Sequence, residues 1–314
     1  MKNYVTRRIL QLIPVLLGIS ILIFAVMKMI PGDVISGILG IESTPELRAQ
    51  LAAKSGLDRP YVVQYLDWMG GVLRGDFGES IRASAPILPE IISRLRVTGE
   101  LTILAAIISW IIAIPLGILA AVKRNSWVDR FVRVFSLLGV SIPGFALSIL
   151  LVLVLSLCFN YFSPLGYVSF FEDPLKNLEI MILPALVLGV TISGSVMRMT
   201  RSSVLEVLRQ DFIKTVRAKG ASERVAIFKH ALRNALIPII TLIGMQIGSL
   251  LGGAVIVEQI FSLPGLGQLT LTGINQRDYP VVQGCVLVIA FIYVMVNLIT
   301  DILYAYIDPR ISYD

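Results

Sequence analysis

The chain holds a single histidine, His230, and two cysteines, Cys158 and Cys285. A zinc site draws several ligands from clustered His and Cys, so none can be assembled from this inventory. Both cysteines fall in apolar runs, where each reads as a small buried hydrophobe and not as half of a disulfide. No G-x-x-x-x-G-K-S/T phosphate loop occurs, so the chain alone does not bind and hydrolyse ATP. H-E-x-x-H needs two histidines, and no G-x-S-x-G nucleophile elbow is present. Charge is scarce too: 15 % of residues are charged, and six long stretches hold no charge at all. An autonomous enzyme and a soluble domain are both excluded.

What is abundant is apolar surface. Hydrophobic residues make up 56 % of the chain, and the mean hydropathy of +0.82 lies far outside the soluble range. A spanning helix needs about 20 apolar residues to cross about 30 Å of hydrocarbon. Six runs qualify: Ile9–Met27, Leu101–Val122, Val134–Phe159, Ile180–Met197, Ala235–Val257 and Val281–Thr300. The fourth is the shortest. The fold class expected is an all-α integral membrane protein with six transmembrane helices.

The first run follows Lys2, Arg7 and Arg8, as a signal peptide would. Its length exceeds the usual apolar core of about 7–15 residues, and no A-x-A-like site follows, so it reads as a retained anchor. Lys and Arg concentrate in cytoplasmic loops. That rule places the N-terminus inside, 31–98 outside, the basic loop Lys123–Arg133 inside, Asn160–Glu179 outside, and the C-terminus inside. Asp301 ends the sixth run near Arg310, where a pairing or snorkelling role is expected rather than a proton relay.

Segment 31–98 is the one sizeable piece between runs, with seven basic and eight acidic residues, hence nearly neutral. Thr44-Pro45-Glu46 offers an N-cap, a first-turn proline and an acid against the helix dipole, and Gly56 offers a stop. A second amphipathic stretch covers Tyr61–Leu73 and ends in the turn-rich Arg74-Gly75-Asp76-Phe77-Gly78. A small helical cap on the outer face is expected, compatible with a rim that docks a delivery protein.

Between the fourth and fifth runs lies a basic island, with nine Lys/Arg against three Asp/Glu from Arg198 to Arg233. Gly220 can end a helix running through Leu205–Lys219, because glycine accepts positive φ. Ser222 can cap the next helix, with Glu223 favoured by its dipole. Ala221, Val225, Phe228 and Leu232 then recur as one apolar stripe, with Arg224, Lys229 and Arg233 off it. Such a helix can lie flat on a membrane or press its stripe into a protein groove; periodicity alone leaves both open.

The order of short motifs carries a resemblance. Arg217-Ala218-Lys219-Gly220 precedes His230-Ala231-Leu232-Arg233-Asn234-Ala235; Pro31-Gly32-Asp33, Gly56-Leu57-Asp58-Arg59-Pro60, Gly75-Asp76-Phe77-Gly78 and Val140-Ser141-Ile142-Pro143 come before them. Phe261-Ser262-Leu263-Pro264-Gly265-Leu266-Gly267, Asn275-Gln276-Arg277-Asp278-Tyr279-Pro280 and Asp308-Pro309-Arg310 follow. Together they resemble the permease subunits of binding-protein-dependent ABC importers of the oligopeptide, dipeptide and nickel type. One departure stands out: the wider family's Glu-Ala-Ala before the loop glycine is Lys214-Thr215-Val216 here.

That resemblance implies a type I ABC importer permease fold. It implies domains at 1–30 (N-terminal start and first span), 31–97 (extracytoplasmic helical segment), 98–305 (permease domain, coupling loop about 201–234) and 306–314 (tail). The implied partners are a second homologous permease, two cytoplasmic ABC ATPases, an extracytoplasmic substrate-binding protein and membrane lipid, with no nucleic acid. No cofactor is expected in this subunit, since ATP-Mg would sit on the ATPases. The location implied is the bacterial cytoplasmic (inner) membrane. Gly220, Ala221, Ser222, Glu223, Arg224, Val225, Ile227, Phe228 and Lys229 are the expected ATPase-coupling residues. Cargo is expected to be di- or oligopeptides, with nickel or a metal chelate as the alternative.

The fifth run places glycines at steps of four, Gly244, Gly248 and Gly252, a pattern that favours close helix packing. Gln246, Ser249 and Asn297 are the polar candidates for lining a pathway between two permeases. Pro115 and Pro143 are expected to kink their spans or end a helical turn. A stand-alone secondary transporter is the rival class; it would carry paired repeats and buried ionisable groups.

Overall fold

The computed structural model describes residues 2–29, 44, 46 and 58–307, with side chains described for 6–29, 44, 46 and 58–302. In hydrocarbon every backbone N–H and C=O must be satisfied internally, which makes the apolar runs helical. The described helices are α1 (Lys2–Met29), α2 (Tyr61–Leu73), α3 (Ile87–Val122), α4 (Trp127–Ser141), α5 (Gly144–Phe159), α6 (Pro174–Leu208), α7 (Asp211–Ala218), α8 (Leu232–Ile260), α9 (Leu266–Gln276) and α10 (Tyr279–Ile307). A π-helical turn, Val225–Ala231, leads straight into α8. The helix expected from Thr44 to Gly56, and the Pro31 and Asp308 motifs, lie outside the described residues, Thr44 and Glu46 apart.

Among the described residues five helices are long and apolar enough to cross a membrane, and a sixth crossing requires α4 and α5 to count as one. The expected third span is this pair, and it breaks where Pro143 was expected to kink it or end a turn: the chain bends by 103° between Ser141 and Gly144. Ile142 is extended, with φ −86° and ψ 118°, because a residue before proline is driven from the helical region. Pro143 in turn brings no N–H to continue α4. Pro115, by contrast, sits inside an unbroken α3. The fourth run proves long: α6 has 35 residues, about 52 Å. Its last turns, including Arg198 and Arg201, carry the basic island out on a helix rather than a loop.

α3 and α6 form the spine of the bundle. A Cβ on Gly117 would lie 2.8 Å from the Met197 carbonyl, and one on Gly189 2.8 Å from the Ala105 carbonyl. Only glycine lets the two backbones come so close, which is how helices gain contact where lipid is as apolar as leucine. α4 runs antiparallel along α6, with Gly139 against the Val190 carbonyl near the bend and Asp129 against Arg201 near the basic end.

One end of the bundle is basic and the other carries a hairpin closed by an isolated bridge between Glu79 and Pro86. Near the basic end α1 and α10 are joined by Arg8 and Asp301, 3.3 Å apart, so Asp301 has its partner on the first helix. α2 forms over the expected residues and rests on α1: Phe24 lies 5.6 Å from the Tyr65 ring and 6.2 Å from Trp68, and Ser20 shares a 2.8 Å bond with Tyr65. Cys285 is buried as expected, but Cys158 ends α5 exposed, and both are free.

Asp129 is wholly buried and held by Arg201 through a fork, Nε at 2.6 Å and Nη2 at 3.1 Å, with the Asn125 amide at 2.9 Å. Asp129→Ala strands the guanidinium. The expected cost is about 3 kcal/mol, the low end for breaking a buried pair, since Arg201 keeps some solvent. In a Cys158→Ser background a thiol-reactive dye then reports exposure of Cys285 alone, and the variant should give a clearly lower melting midpoint.

Candidate functional site

The basic end is assembled by three turns. α6 stops at Leu208 and α7 restarts at Asp211, so the single helix expected over Leu205–Lys219 is two. The break lets Ile213 swing fully into the core. Gly220 then adopts φ +82°, as expected of the loop glycine, and its amide bonds the Arg217 carbonyl at 2.9 Å. The Ser222 carbonyl accepts from the Ala226 amide at 2.9 Å, which starts the next helical turn where the cap was expected. Across the turn Arg217 and Glu223 pair at 2.8 Å. The Lys214 ammonium, 2.8 Å from Asp211, holds that exposed carboxyl below the usual carboxylate range.

The separate rod expected at Ser222–Lys229 is instead the leading turn of the fifth-run helix, which continues unbroken from Val225 to Ile260. Its buried face is not the expected stripe. Ala226, Ile227 and Ala231 are buried, and Ala235 and Ile239 extend that face along α8. Ile227, Ala231, Ala235 and Ile239 share one apolar cluster with Ala120 and Ala121 of α3, Val132 of α4 and Val196 and Val204 of α6, and the turn itself packs on α6 and α7. Val225 at 39 % and Phe228 at 60 % exposure face away, with Arg224 and Lys229 exposed beside them. The expected stripe thus stays on the outside, Val225 and Phe228 exposed with Ala221 and Leu232 half-buried, and a second face of the turn is the one that packs inward. Ile227 is therefore committed to this chain's own core.

The pathway candidates are only partly brought together. Gln246 on α8 donates to the Ser195 hydroxyl of α6, while its own side-chain oxygen is buried without a partner. Ser249 is exposed and bonds back to the Gln246 carbonyl at 2.8 Å. Asn297 is half-buried on α10, and no hydrogen bond links it to either. Of the glycine stripe, Gly244 abuts Thr300 and Gly248 abuts the Tyr293 ring, both on α10, while Gly252 faces open space. Close packing of α8 on α10 accounts for the first two.

Sequence reasoning missed Glu258. This carboxylate is fully buried near the end of α8. Thr98 of α3 donates to it at 2.6 Å, and the Gln268 amide at 3.0 Å, with the Gly267 amide also directed at it. The same Thr98 oxygen accepts from the Leu266 amide at 2.8 Å. These three amides open α9, where helix donors lack internal partners. A Cβ on Gly267 would come 2.9 Å from the carboxylate, and one on Gly265 would overlap it, which gives the Pro264-Gly265-Leu266-Gly267 motif its reason. The signal was present: Glu258 is the one charged residue between Arg233 and Arg277, but its place at the edge of an apolar run disguised it as a loop charge.

A family model described as binding-protein-dependent transport system inner membrane component matches residues 113–313, and its N-terminal companion matches residues 1–102. The chain belongs to this family. Among relatives of this inner-membrane permease is the dipeptide transport system permease protein DppB of Alkalihalophilus pseudofirmus, 43 % identical over 333 residues and all of both chains. DppB of Escherichia coli K12 is 42 % identical over 339 residues, covering all of this chain and 99 % of that one. The inward-facing MetNI methionine ABC transporter superposes on the permease with a TM-score of 0.56 at 19 % identity, over 71 % of this chain and 98 % of that one. The architecture is thus the expected type I importer fold, with α4–α5 broken.

Replacing Glu258 by Leu should leave the Gly267 and Gln268 amides of α9 unbonded, each worth about 1–3 kcal/mol when buried. Hydrogen exchange at Gly267 and Gln268 is expected to rise by at least about tenfold, with no change at the α3–α6 crossing.

Proposed function

We propose that this permease forms half of the passage of an ATP-driven importer for di- and oligopeptides. Its basic end faces the cytoplasm and its hairpin end faces outward. Family membership supports work alongside ATPase and substrate-binding components, and the relatives' names support peptide cargo. The excess of Lys and Arg at 123–133 and 198–233 supports the orientation. On this reading the permease pairs with a second, homologous one, two ATPases dock from the cytoplasm, and ATP-Mg is bound by them alone. Segment 31–97 lies outside and 98–305 forms the permease domain.

One observation carries the mechanism. The turn Val225–Ala231 has two faces, Ile227 and Ala231 buried where it packs on α6 and α7, and Val225 and Phe228 left out of the core. A groove on an ATPase that takes up Phe228 gains about 1.5–3 kcal/mol from that ring. Motion of the groove then passes through the buried face to the spans. Gly220, Ala221, Ser222, Glu223, Arg224 and Lys229 shape the turn and its rim. Gln246, with Ser195 and Ser249, offers amide and hydroxyl groups suited to peptide bonds in transit, and Asn297 stays a candidate on α10.

The two faces respond differently to the same change. Phe228→Asp should leave a folded permease in the membrane yet cut ATPase co-purification and peptide uptake by about tenfold or more. Ile227→Asp should lower the yield of folded protein itself, because it buries a carboxylate. Wild-type uptake by the Phe228 variant would refute the docking role. Sidedness is checked with an impermeant thiol reagent, which should label Ser84→Cys in intact cells and Ser222→Cys only after lysis.

A further inference from the structure

At the hairpin end a cleft of about 190 Å³ opens between the hairpin, α3, α9 and α10. Its walls are built rather than incidental. Asp278, almost fully buried, accepts from the Ser80 hydroxyl at 2.5 Å and from the Ile81 and Arg82 amides at 3.3 and 3.4 Å, which staples the hairpin to the start of α10. Arg82 is held further by its Nε, which donates to the Gln276 carbonyl at 2.9 Å. The other wall charges are matched, with Glu90 and Arg94 paired at 3.1 Å.

Both carboxylates of the cleft are thus engaged, but its outer donors are not. The terminal nitrogens of Arg82, the side-chain amides of Gln268 and Gln276, and the Thr272 hydroxyl have no protein partner among the described residues. A fixed guanidinium flanked by amide and hydroxyl donors is the chemistry that takes a carboxylate through charge-assisted bonds. The volume is below the roughly 300–1,000 Å³ of small-molecule sites, so it suits one side chain and not a whole peptide.

We propose that this cleft is a docking socket for an acidic side chain of the extracytoplasmic substrate-binding protein, with Arg82 as the anion contact. The proposal rests on the importer reading and its orientation. Because the hairpin is stapled in advance, little ordering opposes docking. The cleft also shares α9 with the Glu258–Thr98 clamp, so a partner seated there bears on the fifth-run and second-run helices together.

The test uses the full transporter with its ATPases in nanodiscs and the purified cognate binding protein. Arg82→Glu should weaken Kd by about tenfold or more and flatten its dependence on salt. Arg82→Lys should lose less, since a lysine keeps the charge but not the fork. Arg74→Glu, exposed at the same end but outside the cleft, should stay within about twofold. A Kd for Arg82→Glu equal to wild type, an equal loss with Arg74→Glu, or Arg82-dependent binding of labelled dipeptide without the binding protein would each overturn the socket. Wild-type uptake and ATPase co-purification on the same preparations separate the two readings. Failure there sinks the importer and the socket together, whereas success there with an unaffected Arg82→Glu sinks the socket alone.

Discussion

At the basic end the leading turn of α8 is seated by small and branched apolar side chains. Ala231 and Ala235 take little space, and Ile213, Ile227 and Ile239 fill what remains. Close surfaces of this kind gain dispersion contact along their whole length. The seat ties the turn to α6 and α7 as well as to α8, which it leads into. A force on its outer face is therefore delivered first to those helices.

Buried carboxylates position the elements around that seat. Asp129 ties the short loop before α4 to α6, Glu258 organises the first turn of α9, and Asp278 staples the hairpin. Each is satisfied by donors fixed in the fold, the condition under which a buried charge can be tolerated at all. A proton-relay chain would instead space such groups along one route through the membrane. Here they sit near the two ends, where they set geometry.

Much of this was readable in the sequence because lipid leaves few choices. Charge-free runs had to become helices, Tyr61–Leu73 ended at its turn residues, and Gly220 bent as its lack of a Cβ allows. The faces were harder. Phe228 and Val225 keep the outward face that their spacing suggested, whereas Ile227, expected beside them, turns into this chain's own core, a contact that exists only once the turn is seated on the bundle. The fourth run looked short because charge marked its end, while α6 simply continued outward through Arg198 and Arg201. Glu258 went unnoticed since its donors come from Thr98, Gly267 and Gln268, contacts that exist only once α3, α8 and α9 are assembled.

The bend at Ile142–Pro143 bears on how the chain is made. α4 and α5, of 15 and 16 residues, are each about 23 Å long, too short to bridge the hydrocarbon unaided. A translocation machinery that sorts nascent segments by length and apolarity would recognise only the uninterrupted stretch Val134–Phe159. The pair can thus span only jointly, and the bend between its halves is held by the packing of α4 along α6.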